Sequence, residues 1–579
     1  MSALLKKADG LIDKRWIRAF FLLGVAFIAS LPAFRSGVYN GHDIKFHLGR
    51  IQAIAQELSA GNFPVRYESQ AWYGHGYVCT TYYGNIFLYI PALLYMVGLP
   101  VYRAYNIYVI LVNLVTVFLS YYSFKSLFRD RGWGMLATLI YMLAGYRLTN
   151  LYVRAAVGEY TAMAFIPLVI YGVYRIYNHA GFSASIIPQS RINSGDAGRV
   201  EATLHAILHR AKRVLPLVLG ATGLIESHVL TTELMAVFVF IFVILNIRQI
   251  RYVIKDLLFS LVLILGLNLF FIVPFIDSYT SMDLNINSTF TTESIRGDGL
   301  YLSQIFGLLT QGAGSSFMWT AEDEGCYNIG LPVLICFGFG LAYLLFILIK
   351  RIRGRNIQHA RHLHWIATLF VFGLIAAWLS TIYFPWDYFT GDGIINRLMT
   401  SVQYPWRYLM VQTTCYIIVG VYAMKELLHT VSWTLVIAIA FVICLGTTAY
   451  FDYTLSYRNL TLYNVDAEED WADSLYLISG TDRSRLQETD SYTAYGQLVL
   501  PVLAYDNIHV YTADGTEQAI SISENNCIAV EYLGDAADLV VRFVEPISWR
   551  VSEMISAIFI IGVIVLTVKN RMAFNGDKI

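Results

Sequence analysis

Long apolar runs alternate along the chain with short polar connections, and this alternation predicts most of its elements. The runs fall at Trp16–Phe34, 104–122, 133–146, 161–177, 214–226, 229–247, 253–275, 330–349, 364–380, 405–424, 430–450 and at the C-terminal end; many are near membrane-crossing length, and 214–226 and 229–247 form a shorter pair. Together they predict about twelve spans. The apolar piece Ile86–Leu99 carries Pro91 and stops at Pro100, so it reads as re-entrant or interfacial rather than spanning. A different period appears at 44–58. Ile44, Leu48, Ile51, Ala55 and Leu58 share one helical face, and Asp43, His47 and Arg50 form a polar stripe beside it. Such a helix is expected to lie in the membrane interface, with its three polar groups towards a cavity at membrane level.

Between roughly 451 and 548 the pattern changes again. Short alternating runs, Ile508-His509-Val510-Tyr511 and Ala537-Asp538-Leu539-Val540-Val541, are punctuated by Ala513-Asp514-Gly515 and Leu533-Gly534-Asp535, as strands are by turns. The predicted organisation is a transmembrane domain over 1–450, a β-rich domain over 451–548, and a final span with a short tail over 549–579. The acidic start of the β-rich domain, Asp466, Glu468, Glu469, Asp470 and Asp473, reads as solvated surface.

Charge orients these spans. Lys6, Lys7, Lys14, Arg15 and Arg18 precede or open the first one, which puts the N-terminus in the cytoplasm. Lys125, Arg129 and Arg131, then Arg191, Arg199, Arg210, Lys212 and Arg213 in the connection 178–213, fall on the same side. So do Arg248, Arg251, Lys350, Arg351, Arg353, Lys569 and Arg571. Both termini are then cytoplasmic, and 35–103 and 276–329 are large outer loops. The first run has no small-residue cleavage site and reads as a retained signal-anchor.

Composition agrees with a membrane protein: 56% of the 579 residues are hydrophobic and 14% charged, and the mean hydropathy is +0.53. Zero formal net charge gives no basis for nucleic-acid binding. Cys336, Cys415 and Cys444 lie in apolar runs and read as packing residues. Cys79, Cys326 and Cys527 fall outside, without metal-type spacing.

The ionisable groups at span ends collect on the outer side: Asp43, His47, Arg147, Arg154, Glu159, Glu226, His228, Glu233 and Arg407. Such groups are costly at a membrane boundary unless paired or functional. Asp43 reads equally as an N-cap of the 44–58 helix or as a catalytic acid. Arg154 with Glu159 reads equally as a structural pair, and Glu226 as the partner of a nearby cation.

Gly41-His42-Asp43-Ile44-Lys45-Phe46-His47, Gly61-Asn62-Phe63-Pro64-Val65-Arg66 and Arg154-Ala155-Ala156-Val157-Gly158-Glu159-Tyr160 resemble the bacterial membrane proteins called 6-pyruvoyl-tetrahydropterin synthase-related. Ser227-His228-Val229-Leu230-Thr231 and Tyr404-Pro405-Trp406-Arg407 fit the same resemblance. The C-terminal β domain followed by one span resembles the YfhO-like membrane proteins, and both groups resemble the GT-C type of glycosyltransferase. The pterin name itself is not followed, since no histidine cluster has zinc-binding spacing.

The resemblance implies a mainly α, polytopic, GT-C-like helical bundle in a bacterial plasma membrane. Its implied activity is transfer of a sugar from a polyprenyl-phosphate donor to an envelope glycan or lipid acceptor on the outer face, with inversion. Asp43 matches the essential acid of the first outer loop and Glu159 a second acid. Arg154 and Arg407 are implied at the donor phosphate, with Arg50 and His228 also contacting substrate. His47 either orients Asp43 or helps to hold a divalent cation, Mg or Mn, for which Asp43, His47 and Glu159 are the candidate ligands. The first outer loop lacks the Asp-x-Asp pair of some GT-C members, which leaves metal dependence open. Two other readings keep the same spans: a flippase or transporter of a lipid-linked glycan, for which no internal repeat is found, and a non-catalytic envelope assembly protein in which Asp43 is only a cap.

Overall fold

The computed structural model describes residues 10, 14–178, 195–289, 292–313, 327–354, 360–391, 393–462 and 471–576. Lys6, Lys7, Arg191, Cys326, Asp466, Glu468, Glu469 and Asp470 lie outside the described residues. The first helix, α1, is Arg15–Ser30, and a short strand β1, Val38–Tyr39, follows it. Helix α2, Ile44–Ser59, begins within a residue of the predicted 44–58 helix. It ends because Gly61 takes a left-handed φ of 89°. The Gly61 and Asn62 amides then turn back to the Leu58 and Glu57 carbonyls at 3.0 and 2.9 Å, satisfying groups that the helix end would otherwise orphan.

Helix α3, Tyr89–Met96, is 8 residues long, too short to cross a bilayer. The bundle continues with α4 (Val101–Phe128), α5 (Arg131–Met142), α6 (Val157–Met163), α7 (Ile166–Asn178), α8 (Gly195–Ile225) and α9 (Val229–Leu245). It is completed by α10 (Ile250–Ser281), α11 (Gly330–Ile352), α12 (Ala360–Leu379), α13 (Leu409–Leu427), α14 (Trp433–Leu455) and α15 (Ile547–Gly576). The chain is an integral membrane protein. Among the described residues, 8 helical stretches are long and apolar enough to cross a membrane: Arg15–Phe34, Val101–Phe128, Val157–Asn178, Ile247–Ser281, Gly330–Ile352, His362–Leu379, Trp433–Leu455 and Ile547–Lys569. The other predicted spans are helical but fall short of that standard. α5 has 12 residues and α9 has 17, α8 opens with a charged half, and α13 buries Gln412, Thr413 and Thr414.

A small β-rich part lies near the C-terminal end of the chain, beginning after α14 ends at Leu455. Strand β2 (Leu460–Thr461) pairs antiparallel with β1, and Val38 lies opposite Thr461. Beyond it, β3 (Tyr492–Ala494), β4 (Gln497–Leu503), β7 (Ile520–Ile522) and β8 (Cys527–Val530) form an antiparallel sheet in the order β3-β4-β8-β7. The strands β5 (Ile508–Thr512), β6 (Glu517–Gln518) and β9 (Leu539–Phe543) form a second, in the order β6-β5-β9. The long loop 35–103 and these sheets share one hydrophobic core, in which Tyr77, Cys79 and Tyr82 pack with Leu498, Val499 and Leu503.

That shared core changes the setting of α2. The apolar stripe Ile44, Leu48, Ile51 and Ala55 is buried as expected, yet His47, Arg50 and Glu57 are buried too, and only Lys45, Gln56 and Ser59 are exposed. Trp471, leading into the β-rich part, presses on Gly49, where a Cβ would overlap its indole. α2 is therefore enclosed between the bundle and the sheets instead of lying free in the interface.

Candidate functional site

Two close backbone approaches build the site. The amides of His42 and Asp43 donate to the carbonyls of Val153 and Arg154 at 3.1 and 2.9 Å. Gly41 permits this, since a Cβ there would collide with Ala155 and the Val153 carbonyl. The receiving segment is a π-helical turn, Thr149–Val153, closed by Ala155 at a left-handed φ of 55°. A π turn and a left-handed alanine are both unfavourable locally, and such features concentrate where a side chain must be aimed. On the other side of the turn, Gly158 lies against the Ser227 carbonyl and the His228 ring, which brings the α8–α9 corner in.

Asp43 occupies the N-cap position of α2, but its side chain makes no capping hydrogen bond. Its half-buried carboxyl is pushed up in pKa by burial; Arg154 and Arg407 oppose that shift and Glu159 adds to it. Glu159 is buried at 1% exposure and fully engaged. Its Oε2 meets Arg154 Nη1 at 2.5 Å and Arg407 Nε at 3.4 Å, and its Oε1 accepts from Tyr146 at 2.5 Å and from Asn150 Nδ2 at 3.1 Å. Asn150 also accepts from Arg154 Nη1 at 2.7 Å, and Gln403 and the Val402 carbonyl accept from Arg407 Nη1 at 2.8 Å each. The two guanidiniums are thus fixed in direction before any ligand arrives.

Burial holds His47 well below the usual histidine range, and the cation Arg50 works in the same direction. Its Nδ1 is buried without a hydrogen-bond partner among the described residues. His228 caps α9, with Nδ1 accepting from the Thr231 amide at 3.3 Å, so the proton of its neutral ring belongs on Nε2. Burial and the neighbouring Arg407 lower its pKa to about 3. Arg50 donates to Asn85 Oδ1 at 3.1 Å and lies 4.5 Å over the Tyr83 ring.

All seven candidate residues, Asp43, His47, Arg50, Arg154, Glu159, His228 and Arg407, therefore converge. Three other span-end groups do not belong to this cluster's hydrogen bonds. Arg147 donates to Asn113 Oδ1 at 2.6 Å and to the Met142 carbonyl at 3.1 Å, Glu233 accepts from Ser401 at 2.8 Å, and Glu226 is buried with neither oxygen bonded among the described residues. Tyr146, Asn150 and Gln403 escaped the sequence reading because uncharged polar residues in apolar runs carry little signal. The i to i+4 spacing of Asn150 and Arg154 was the one available hint.

Asp473 corrects the reading of the acidic stretch as solvated surface. It turns inward, accepts from Tyr77 at 2.5 Å, and is raised to about 6 by burial, with Arg50 among the groups opposing the rise. The cause is the core shared by the first loop and the sheets, which carries this segment beneath the surface. The proposed cation ligands do not fit a metal. No group of three or more His, Cys, Asp or Glu side chains is placed to share an ion among the described residues, and both Glu159 oxygens are already taken.

No family model matches the chain. A curated protein of Lactococcus lactis subsp. cremoris (strain MG1363), described as uncharacterized, is 21% identical over 302 residues, which is 50% of this chain and 44% of that protein. Among solved structures, the arabinofuranosyltransferase AftD from Mycobacteria is 12% identical with a TM-score of 0.41, over 76% of this chain and 27% of its own. The Archaeoglobus fulgidus oligosaccharyltransferase AglB, in complex with an inhibitory peptide and a dolichol-phosphate, is 13% identical with a TM-score of 0.36, over 77% and 57%. The chain spans less than two thirds of each of these proteins.

Proposed function

We propose that this chain is a membrane glycosyltransferase, moving a sugar from a polyprenyl-phosphate donor to a glycan or lipid acceptor of the cell envelope on the outer face. The observation that carries the reading is the Asp43 carboxylate. It stands at a helix N-terminus without serving as its cap, beside two guanidiniums that Glu159 holds in place. An acid free to accept a proton, next to a fixed cationic pair, suits displacement of a phosphate leaving group.

In this mechanism Asp43 takes the proton of an acceptor hydroxyl as that oxygen attacks the anomeric carbon. The bond from that carbon to the donor phosphate breaks, and its electron pair leaves on the phosphate oxygen, where Arg154 and Arg407 stabilise the charge. Attack opposite the leaving group inverts the anomeric centre. Burial makes the Asp43 carboxylate more basic, as accepting a proton requires, and the two arginines oppose that rise. Glu159 has both oxygens occupied and acts by positioning the arginines rather than as a second base. His47 and His228 are neutral donors or acceptors to sugar hydroxyls, and Arg50 closes that side of the site.

The test is sugar transfer in reconstituted vesicles supplied with polyprenyl-phosphate sugars, comparing wild type with Asp43→Asn at equal folded protein. Loss of the general base is expected to lower turnover by about 100-fold or more. Equal turnover in the two proteins would remove Asp43 from the chemistry and with it this reading.

A further inference from the structure

A second buried ionic group lies away from the cluster around Asp43. Glu226 follows the end of α8 at Ile225, in the turn before α9, and is only 3% exposed with neither carboxyl oxygen bonded among the described residues. Gly84 of the first outer loop sits directly on its backbone. The charge opposing its burial is Arg66, from the same loop. Arg66 donates through Nη2 to the Phe270 carbonyl of α10 at 2.5 Å and stands 3.5 Å from Glu553 of α15. Glu545, just ahead of α15, faces Glu553 and Arg66 and lies 3.3 Å from Arg550 Nε. Arg550 Nη1 also donates to Glu553 at 3.2 Å.

Glu545 and Glu553 therefore share Arg550, and Arg66 serves Glu553 while being the charge that opposes the burial of Glu226. Arg66 Nε, Glu545 Oε2 and Glu553 Oε1 are, like both Glu226 oxygens, buried without a hydrogen-bond partner among the described residues. The other polar groups around them are neutral or already committed. Tyr89 accepts from the Val65 amide at 2.9 Å, Asn268 donates to Thr222 at 3.1 Å, and Ser556 accepts from the Phe270 amide at 3.0 Å. Asp277, on the same seam between α10 and α15, accepts from Trp549 Nε1 at 2.7 Å. An excess buried negative charge is too costly to keep and is removed by taking up a cation. Among the described residues no three His, Cys, Asp or Glu side chains are grouped to share a metal ion, and a proton meets the same need.

We propose that Glu226, Arg66, Glu545 and Glu553 form a proton-binding site, separate from the Asp43 site, that clasps the first outer loop to the outer end of the last span. Burial raises Glu226 to about 8 and Glu545 to about 7, so Glu226 holds a proton at neutral pH. The clasp reaches the other site through the backbone beside Arg66. The Val65 carbonyl accepts from Asn85 Nδ2 at 3.4 Å, and Asn85 Oδ1 holds Arg50. Release of the proton makes Glu226 compete with Glu553 and Glu545 for Arg66 and loosens that brace. Because the folded chain holds a proton that the unfolded chain gives up above about 4.5, this part of the stability falls as pH rises from there to about 8, and is level beyond.

The site does not depend on the transferase reading, and its test needs no turnover. The full-length protein in lipid vesicles is titrated by infrared difference spectroscopy of the carboxylic C=O stretch, as wild type, Glu226→Gln and Glu553→Gln. Glutamine has nearly the shape of the neutral acid, so both variants keep the packing. Wild type is expected to lose a buried-acid band with a midpoint near pH 8. Glu226→Gln should lack that band, and Glu553→Gln, with one competing charge fewer, should shift the midpoint downward. Persistence of the band in Glu226→Gln, or an unmoved midpoint in Glu553→Gln, would overturn the proposal. Thermal unfolding between about pH 6 and pH 9 gives a second reading: the slope of wild type should flatten in Glu226→Gln, and identical slopes would count against the site.

Discussion

The Asp43 amide donates to the Arg154 carbonyl at 2.9 Å, while the Asp43 carboxylate makes no bond to the helix whose N-terminus it occupies. Backbone contact alone holds this residue in place. Removing a working N-cap costs about 1 kcal/mol, so the absence of one is measurable. Asp43→Ala is expected to change the unfolding free energy by less than about 0.5 kcal/mol in detergent, read from denaturant titration. A loss of a full cap's worth would show the carboxylate reaching the α2 amides after all.

Glu159 stands in the opposite position, with partners on both oxygens and almost no solvent. Replacing it by Gln leaves Arg154 and Arg407 buried without the carboxylate that bridges them, with only Asp43 nearby. Breaking a buried pair from one side typically costs about 3–5 kcal/mol, and Glu159→Gln is expected to fall in that range. Activity and thermal stability should drop together. Full stability with lost turnover would instead make Glu159 a direct participant in the chemistry.

His228 combines a cap with a suppressed titration. Its folded pKa is near 3, below the ordinary 6.5, so the unfolded chain binds a proton that the folded chain refuses. Stability tied to this residue is complete above about pH 6.5 and is lost as pH falls towards 3. Asn caps as well as other short polar residues and does not titrate. His228→Asn should match wild type within about 1 kcal/mol at pH 8 and lose less stability on acidification. Parallel pH profiles for the two proteins would contradict this.

Two glycines report on how tightly the loop 35–103 is held. Gly49→Ala would drive a methyl into the Trp471 indole, and Gly84→Ala would drive one into the Glu226 backbone. Overpacking of this kind typically costs about 1–3 kcal/mol, and a backbone neighbour yields less than a ring. Gly84→Ala is therefore expected to be the more destabilising, while Gly49→Ala should mainly speed proteolysis between α14 and α15. The reverse order in thermal unfolding would show that the Trp471 contact is the more rigid of the two.

What could be seen in the sequence was local. The start of α2 and the strand at Ile508 follow from periodicity within a few residues, and the structure has both. The enclosure of α2 could not be seen, because Trp471 lies far along the chain and no periodicity links it to Gly49. The charge pattern drew attention to Arg154, Glu159 and Arg407 but not to how they share one another. A charge-based reading treats Glu159 as available, whereas Tyr146 and Asn150, silent in any hydropathy plot, occupy its second oxygen. Helices enclosed by others, such as α5 and α13, need not be long or apolar enough to face lipid themselves, so length and composition single out only 8 helical stretches among the described residues.

The two-residue ladder between Val38–Tyr39 and Leu460–Thr461 has a bearing on how the protein is made. It joins the chain just past α1 to the chain just past α14, reinforced by the Asn40 amide on the Asn459 carbonyl at 3.0 Å. During synthesis the N-terminal partner waits while most of the apolar helices are made, and only then does its mate emerge. Pairing so distant in sequence comes late. The segment leading to Asp43 thus acquires its final support near the end of biogenesis, so a nascent chain cut short before Leu460 carries the acid without the staple beside it.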